Sequence, residues 1–223
     1  MKNILIILFL FCSLFSIGQS EVNGKLKVQD SISVVNSTNS VTLGYRTGIR
    51  LNGTSTVWDD LMFPFSTGTN GGTGYPAFNP DSMYYAFSVD TTGPSKCSMY
   101  FIIQVPHKSK TASELHPHVH FKQEGVGTPT FKIKYKVYNI GATTQKGYSW
   151  ITLNTPITSI TDKTHGVVNG GNIQLSGLSL SAILIVNVYL TQLAAGTTVC
   201  NAWQFDLHSE IDSQGSDTEY VKD

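Results

Sequence analysis

The segment from Phe131 to Val137 alternates without interruption between apolar residues and lysines. A period of two residues is the pattern of a β-strand with one buried face and one face in water, and it does not fit the period of a helix. Two further segments of strand-like composition lie at 83–89 and 99–105, and the run 182–190 is apolar enough for a strand buried on both faces. We find no segment with a clear helical period. The chain is therefore predicted to be all-β, with a jelly-roll-like β-sandwich over residues 57–213.

Few residues are charged, and the two signs balance. The chain has 15 Lys and Arg against 15 Asp and Glu, and 13% of its 223 residues are charged, whereas an ordinary soluble domain has about 25%. Binding to the phosphates of DNA or RNA requires an excess of cations, so we expect no nucleic-acid partner. The 40% of apolar residues can fill a core, which argues against disorder.

Residues 1–18 have the features of a secretory signal peptide. Lys2 gives a basic start, the segment 4–15 is almost wholly apolar, and Gly18 is a small residue at the expected cleavage site. The apolar run is too short for a stable membrane anchor. We therefore expect an exported protein, either periplasmic, extracellular or part of a virion, with no membrane span after cleavage near Gly18.

Signal cleavage leaves two cysteines, Cys97 and Cys200. In an exported chain two cysteines either form a disulfide or lie as two separate buried thiols. The sequence leaves both possibilities open.

Three segments flank or interrupt the predicted sandwich. Residues 19–56 alternate in short stretches and are predicted to form a strand-rich stem that stacks against copies of itself. The alternative is a pair of edge strands of the following domain. Residues 66–80 are rich in Gly, Thr and Asn and are predicted to be an irregular loop. Residues 214–223 form an acidic C-terminal tail.

Three histidines alternate along one predicted strand: His116, His118 and His120. Side chains two residues apart on a strand share a face, so these imidazoles form a row, and Val119 points to the opposite, buried side. Pro117 cannot donate a backbone hydrogen bond, which predicts an edge strand or an irregular strand start.

Neighbouring imidazoles can share a transition-metal ion such as zinc, iron or nickel, and two kinds of site are possible. In a cupin-like enzyme, His118, His120 and Glu124 act together with a later histidine, for which His208 is the candidate. In a homotrimer, the histidines of three chains surround an ion on the symmetry axis. The third interpretation is a row of hydrogen-bonded histidines without metal. The candidate metal ligands are therefore His116, His118, His120, Glu124 and His208.

Other catalytic patterns are missing from the sequence. It has no Gly-x-Ser-x-Gly elbow and no phosphate-binding glycine loop. Asp59 and Asp60 are adjacent, so on a strand they face opposite ways and cannot work as a glycosidase pair, and a turn or cap role is predicted for them. Tyr75 and Phe78 of the 66–80 loop suggest instead a surface that stacks on sugars or on a subunit.

Three stretches together resemble a group of phage and prophage virion structural proteins of the fibre or appendage type. They are Trp58–Pro64, then Gln104–His107 with Glu114–Phe121, and finally Phe205–Ser216. The group is characterised by an "LPH…HPHVHW" core and a "FDIHYQIDTLGSREE" stretch near the C-terminus. The present chain departs from it at Ser209 and Glu210, where the group has Tyr and Gln.

The resemblance implies a non-enzymatic virion or appendage component with no catalytic residues. Its expected partners are copies of itself, as a homotrimer, other virion proteins, and a host-surface glycan as a further candidate. Two alternatives stand beside it: an exported cupin-like metal-dependent enzyme and an exported glycan-binding module.

Overall fold

The structure is a computed structural model that describes residues 20–22, 25–27, 31–35, 39–44, 48–53, 57–71, 73–74, 76–81, 83–90, 97–142, 147–157, 160–195, 197 and 199–213. The predicted signal peptide and acidic tail lie outside the described residues. The chain divides between Ser55 and Thr56 into two compact units.

The described residues of the first unit form five short strands in two antiparallel sheets. A hairpin is formed by β1 (Ser20–Val22) and β2 (Lys25–Lys27). A three-stranded meander is formed by β3 (Ser31–Val35), β4 (Ser40–Gly44) and β5 (Gly48–Asn52).

The second unit contains one large antiparallel sheet. Its strands are β6 (Val57–Pro64), β7 (Thr69–Asn70), β8 (Ala77–Asn79), β9 (Tyr84–Phe87), β10 (Ser98–Gln104), β11 (Glu114–Gln123), β12 (Thr130–Tyr138), β13 (Ser149–Pro156), β14 (His165–Gly170), β15 (Ile173–Gln174), β16 (Ile183–Gln192) and β17 (Cys200–Ile211). One 3-10 turn, Phe65–Thr67, follows β6. The prediction of an all-β fold is confirmed: the described residues contain no α-helix. None of these residues belongs to a helix with the length and apolarity needed to cross a bilayer.

The strands follow the order β7-β10-β16-β12-β13-β14-β11-β17-β9-β8, with β15 added beside β11 and β6 beside β17. Strands far apart in this order nevertheless contact each other through their aromatic rings. Phe101 of β10 lies 5.6 Å from Phe205 of β17, and Phe131 of β12 lies 6.3 Å from Phe121 of β11, measured between ring centroids. The sheet therefore curls over on itself and encloses one core, as in a sandwich.

The alternation along Phe131–Val137 is confirmed in β12. Phe131 and Ile133 are fully buried, and the intervening lysines face outward. β12 lies between β13 and β16 in the interior of the sheet. The predicted burial of the 182–190 run is also confirmed, since every residue from Val186 to Leu190 of the central strand β16 is buried.

The sheet bends between the β10-β16-β12 strands and the β11-β17-β9 strands, and the β13–β14 pair lies between these two groups. The register of that pair shifts between Leu153 and Thr155. Gly170 of β14 lies there, directly against the backbone of Thr152. A Cβ atom built on Gly170 would meet the Thr152 carbonyl oxygen at about half an ordinary contact distance. Only glycine allows the two strands to approach so closely.

Two local predictions differ from the structure. The 66–80 segment is not wholly irregular, because it contains β7 and β8. β11 is not an edge strand, since it pairs with β17 on one side and with β14 and β15 on the other. Pro117 lies between the residues that pair with β15 and those that pair with β14, so its missing N–H removes no bond from either ladder.

Candidate functional site: a histidine and aspartate cluster on the outer face

Two neighbouring strands bring the polar residues together. The ladder between β11 and β17 pairs His116 with His208, His118 with Asp206, and His120 with Gln204. All six side chains lie on the outer face of the sheet, because the alternate residues Val119, Phe205 and Leu207 fill the core. The predicted row of three histidines on one face is therefore confirmed.

Asp206 is the centre of this cluster. His118 Nε2 lies 3.2 Å from its Oδ2 atom, and His120 Nε2 lies 3.0 Å from the same atom. Gln204 donates a third hydrogen bond to that oxygen, at 2.9 Å. The other oxygen, Oδ1, is buried and has no hydrogen-bond partner among the described residues. One carboxylate oxygen thus accepts all three of these hydrogen bonds, in a residue that is only 3% exposed.

The surroundings of Asp206 keep it ionised. Burial alone raises its pKa, because a charge is costly away from water. The hydrogen bonds from His118, His120 and Gln204 act in the opposite direction and together outweigh the burial, so its pKa is held well below the usual range. The cluster therefore contains a permanent negative charge at neutral pH.

A β-bulge adds an aromatic residue to the outer face. The register of β17 against β11 shifts between His120 and Phe121, which pair with Gln204 and Ala202. Trp203 is the extra residue, and it does not belong to the buried series Phe205 and Leu207, although it alternates with them in the sequence. Its ring instead meets that of His165 edge-on, with the centroids 5.6 Å apart. Bulges commonly redirect a side chain in this way.

His165, at the start of β14, extends the cluster. Its Nε2 atom lies 2.8 Å from His120 Nδ1, and the two rings are stacked at 5.0 Å. Burial, followed by the charge of neighbouring His120, lowers the pKa of His165. A neutral imidazole here can accept or donate a hydrogen bond, as the state of His120 requires.

His208 and His116 have other partners. His208 Nε2 lies 2.7 Å from Oδ1 of Asp60, while its ring packs edge-on against His118 with centroids 4.4 Å apart. The His116 ring packs edge-on against Trp58 at 5.0 Å. The contacts of these two histidines are thus with Asp60, His118 and Trp58, beside the Asp206 cluster.

Glu124 lies outside the cluster. It follows the end of β11 and lines a groove together with Phe78, Tyr84 and Asn201. A cupin-like site needs Glu124 beside His118 and His120, whereas the carboxylate beside them here is that of Asp206.

Asp59 and Asp60 face opposite ways, as predicted. Asp59 forms an ion pair with Lys108, and Asp60 contacts His208. Their predicted turn or cap role is wrong, because both lie in the middle of β6, paired with β17. Cys97 and Cys200 are both buried free thiols.

Three residues form a set suited to a metal ion: His118, His120 and Asp206. Each offers one donor atom, and the three atoms lie within 4.8 Å of one another. Two imidazoles and one carboxylate can hold zinc or another first-row transition ion. The same residues can also form a purely hydrogen-bonded network.

Sequence reasoning missed Asp206, His165 and Trp203. Asp206 could have been found, since it lies two residues before His208 on the same strand face. His165 gave no comparable signal, because its approach to His120 depends on the pairing of β14 with β11. Tyr75 lies outside the described residues.

No protein-family model and no curated protein matches this chain.

Proposed function

We propose that this chain is a non-enzymatic structural protein of a phage or prophage particle that associates as a homotrimer. Its resemblance to virion proteins in three separate stretches supports this proposal, and so does its all-β, sandwich-like fold, which is suited to assembly through sheet faces and edges. Its partners would be copies of itself and other virion proteins.

The observation that carries the proposal is the exposed apolar face of the β3–β5 meander. Val41 pairs with Leu51, and Leu43 pairs with Ile49, so these four side chains share one face. Val41, Leu43 and Ile49 are 37%, 49% and 39% exposed. The opposite face is polar and carries the hydrogen bonds from Asn52 to Ser40 and Thr42.

A three-stranded sheet with one apolar face needs that face covered to be stable. A second copy of the same meander offers a matching apolar surface of the same size, and association around a closed axis would cover every face equally. The stem is therefore the proposed trimer contact.

Light scattering of the mature chain, residues 19–223, at micromolar concentration tests this proposal. We expect three times the mass of one chain. The double variant Leu43→Ser and Ile49→Ser should dissociate, because it removes an apolar pair from the contact face. Thr42→Ala, on the polar face of the same strand, is the matched control and should remain trimeric. A monomeric wild-type chain contradicts the proposal.

The position in a particle needs a separate test. We expect the gene to lie among capsid and tail genes, and the protein to copurify with particles on a density gradient. A locus without phage genes, together with an absence from purified particles, would contradict the virion assignment even if the trimer exists.

The groove beside Glu124 favours a second candidate function, glycan binding. Phe78 is 48% exposed at this groove, and Asn79, Asp81 and Asn201 add polar groups around it. An exposed aromatic ring with amide and carboxylate neighbours can stack on a sugar and bind its hydroxyl groups. A glycan array tests this: Phe78→Ala should abolish any binding, whereas Ile157→Ala, at a residue 52% exposed outside the groove, should not. An array without any signal counts against glycan binding.

A further inference from the structure

We propose that His118, His120 and Asp206 of a single chain together bind one divalent first-row transition-metal ion. This inference does not depend on the proposed virion function. It also differs from an ion shared on a symmetry axis, because all three ligands belong to the same chain.

Two of the three spacings between the donor atoms match those of metal ligands. His118 Nε2 and His120 Nε2 lie 3.2 and 3.0 Å from Asp206 Oδ2. Ligands about 2.0–2.1 Å from a zinc ion are separated by roughly 3.0 Å in an octahedral set and 3.4 Å in a tetrahedral one. All three donor atoms lie within 4.8 Å of one another, so side-chain movements that bring the two imidazole nitrogens to a ligand spacing would complete the set.

The burial of the ligands gives a second, independent indication. His118 and Asp206 are 4% and 3% exposed. Asp206 Oδ1 is buried without a hydrogen-bond partner among the described residues, although a carboxylate oxygen in such a place normally has one. A purely structural role would favour contacts spread over both oxygens. The negative charge of a carboxylate is spread over both oxygens, so a cation bound to Asp206 would also stabilise the charge on Oδ1.

His165 supplies the outer partner that a metal-bound histidine requires. When His120 Nε2 binds an ion, its Nδ1 atom carries the proton and can donate to His165 Nε2, 2.8 Å away. Such a bond fixes the tautomer and the orientation of the ligand ring. His165 is in turn packed against Trp203.

The site also has a route to solvent. An open pocket on the outer face is lined by His120, His165, Trp203 and Gln204. His120 is the most exposed of the three ligands, with 25% of its side chain accessible. Three protein ligands leave at least one coordination position for water or for a group of a neighbouring molecule.

Zinc titration by calorimetry, with cobalt(II) absorption as a second readout, tests the proposal on the mature chain stripped with a chelator. We expect one ion per chain. Asp206→Asn and His120→Gln should each weaken zinc binding more than 100-fold, and His165→Gln about 10–100-fold, the usual range for an outer partner. The controls His116→Gln and Glu124→Gln, at two candidate ligands from the sequence that lie outside the set, should leave the affinity unchanged.

Three results would overturn the proposal. The first is that the folded wild-type chain binds no zinc. The second is a stoichiometry of one ion per three chains. The third is that His116→Gln loses as much zinc affinity as Asp206→Asn. Circular dichroism of each variant separates loss of the ligand from loss of the fold. Because light scattering reports on the trimer and calorimetry on the ion, failure of one proposal leaves the other measurable.

Discussion

Asp206 lies directly opposite His118 in the ladder between β11 and β17, and its Oδ2 atom accepts a hydrogen bond from His118 Nε2, with 3.2 Å between the two atoms. This cross-strand pair is almost completely buried although it lies on the outer face of the sheet. A buried, ionised carboxylate contributes to stability only while its hydrogen-bond donors remain in place.

Asp206→Asn is therefore expected to destabilise the fold by about 1.5–3 kcal/mol at pH 7, the range for hydrogen bonds to a charged group. The pKa of Asp206 is depressed in the folded protein. Its contribution is complete above the unfolded pKa of about 4 and is lost as the pH falls through the lower folded value, because the unfolded chain takes up the proton first. The difference between wild type and variant should therefore shrink as the pH falls below about 4.

Urea denaturation between pH 7 and pH 2, with a chelator present, measures this difference. Asp60→Asn is the control, since Asp60 also contacts a histidine but is 54% exposed, and it should change the stability by less than about 1 kcal/mol. A difference between wild type and Asp206→Asn that stays constant with pH would argue against the depressed pKa.

His165 should titrate below the ordinary histidine pKa of about 6.5, because burial and the neighbouring charge of His120 disfavour its protonated form. Its neutral form contributes stability above pH 6.5, and this contribution is lost as the pH falls through the lower folded value. NMR titration of the imidazole signals measures the pKa directly. His120→Gln should raise it only partly, since the burial remains; a value above 6.5 in the wild type would contradict the prediction.

The close approach at the sheet bend can be tested with two adjacent glycines. Gly170→Ala should destabilise the fold by about 1–3 kcal/mol or more, because its Cβ atom would collide with the Thr152 carbonyl and the backbone must move. At Gly171 the nearest atom to an added Cβ is Ile151 Cγ2 at 3.6 Å, an ordinary contact. Gly171→Ala should therefore change the thermal midpoint very little. Equal effects of the two substitutions would refute this explanation of the bend.

Cys97 and Cys200 are expected to remain thiols and to be inert in the folded protein. Both are buried, and burial strongly raises the pKa of Cys200, which suppresses the reactive thiolate. A thiol reagent at pH 8 should label neither residue in the native mature chain and should label both in denaturant. A denatured chain that shows thiols only after reduction would mean that the two cysteines pair.

Much of the fold could be predicted because apolar and polar residues alternate along the strands that form the core. Phe131 and Ile133 indicate their strand within a few residues, because every second side chain of a half-buried strand points into the core. The order of the strands could not be predicted in the same way, because the pairing of β12 with β16 joins residues about fifty positions apart. The role of a strand residue such as Gly170, which allows a close approach of two backbones, can be recognised only when the partner strand is known.

The part of the site that depends on alternation along a single strand could also be predicted, and the part that depends on pairing between distant strands could not. The histidine row depends only on neighbours along one strand, so its common face followed from the sequence. The position of Glu124 did not follow from the sequence, because β11 ends at Gln123 and the alternation of side chains stops there. The approach of His165 to His120 depends on a ladder between distant segments, which no local pattern encodes.

β17 contains one residue more than its ladder with β11 needs. If Trp203 were deleted, Gln204 would directly follow Ala202, and Ala202 and Phe205 would both still face the core. The hydrophobic interior therefore gives no reason for the extra residue. What Trp203 adds is an indole ring beside His165, at the rim of the cluster. β17 is therefore one residue longer than the packing of the core requires, and the additional residue, Trp203, packs on the outer face beside His165.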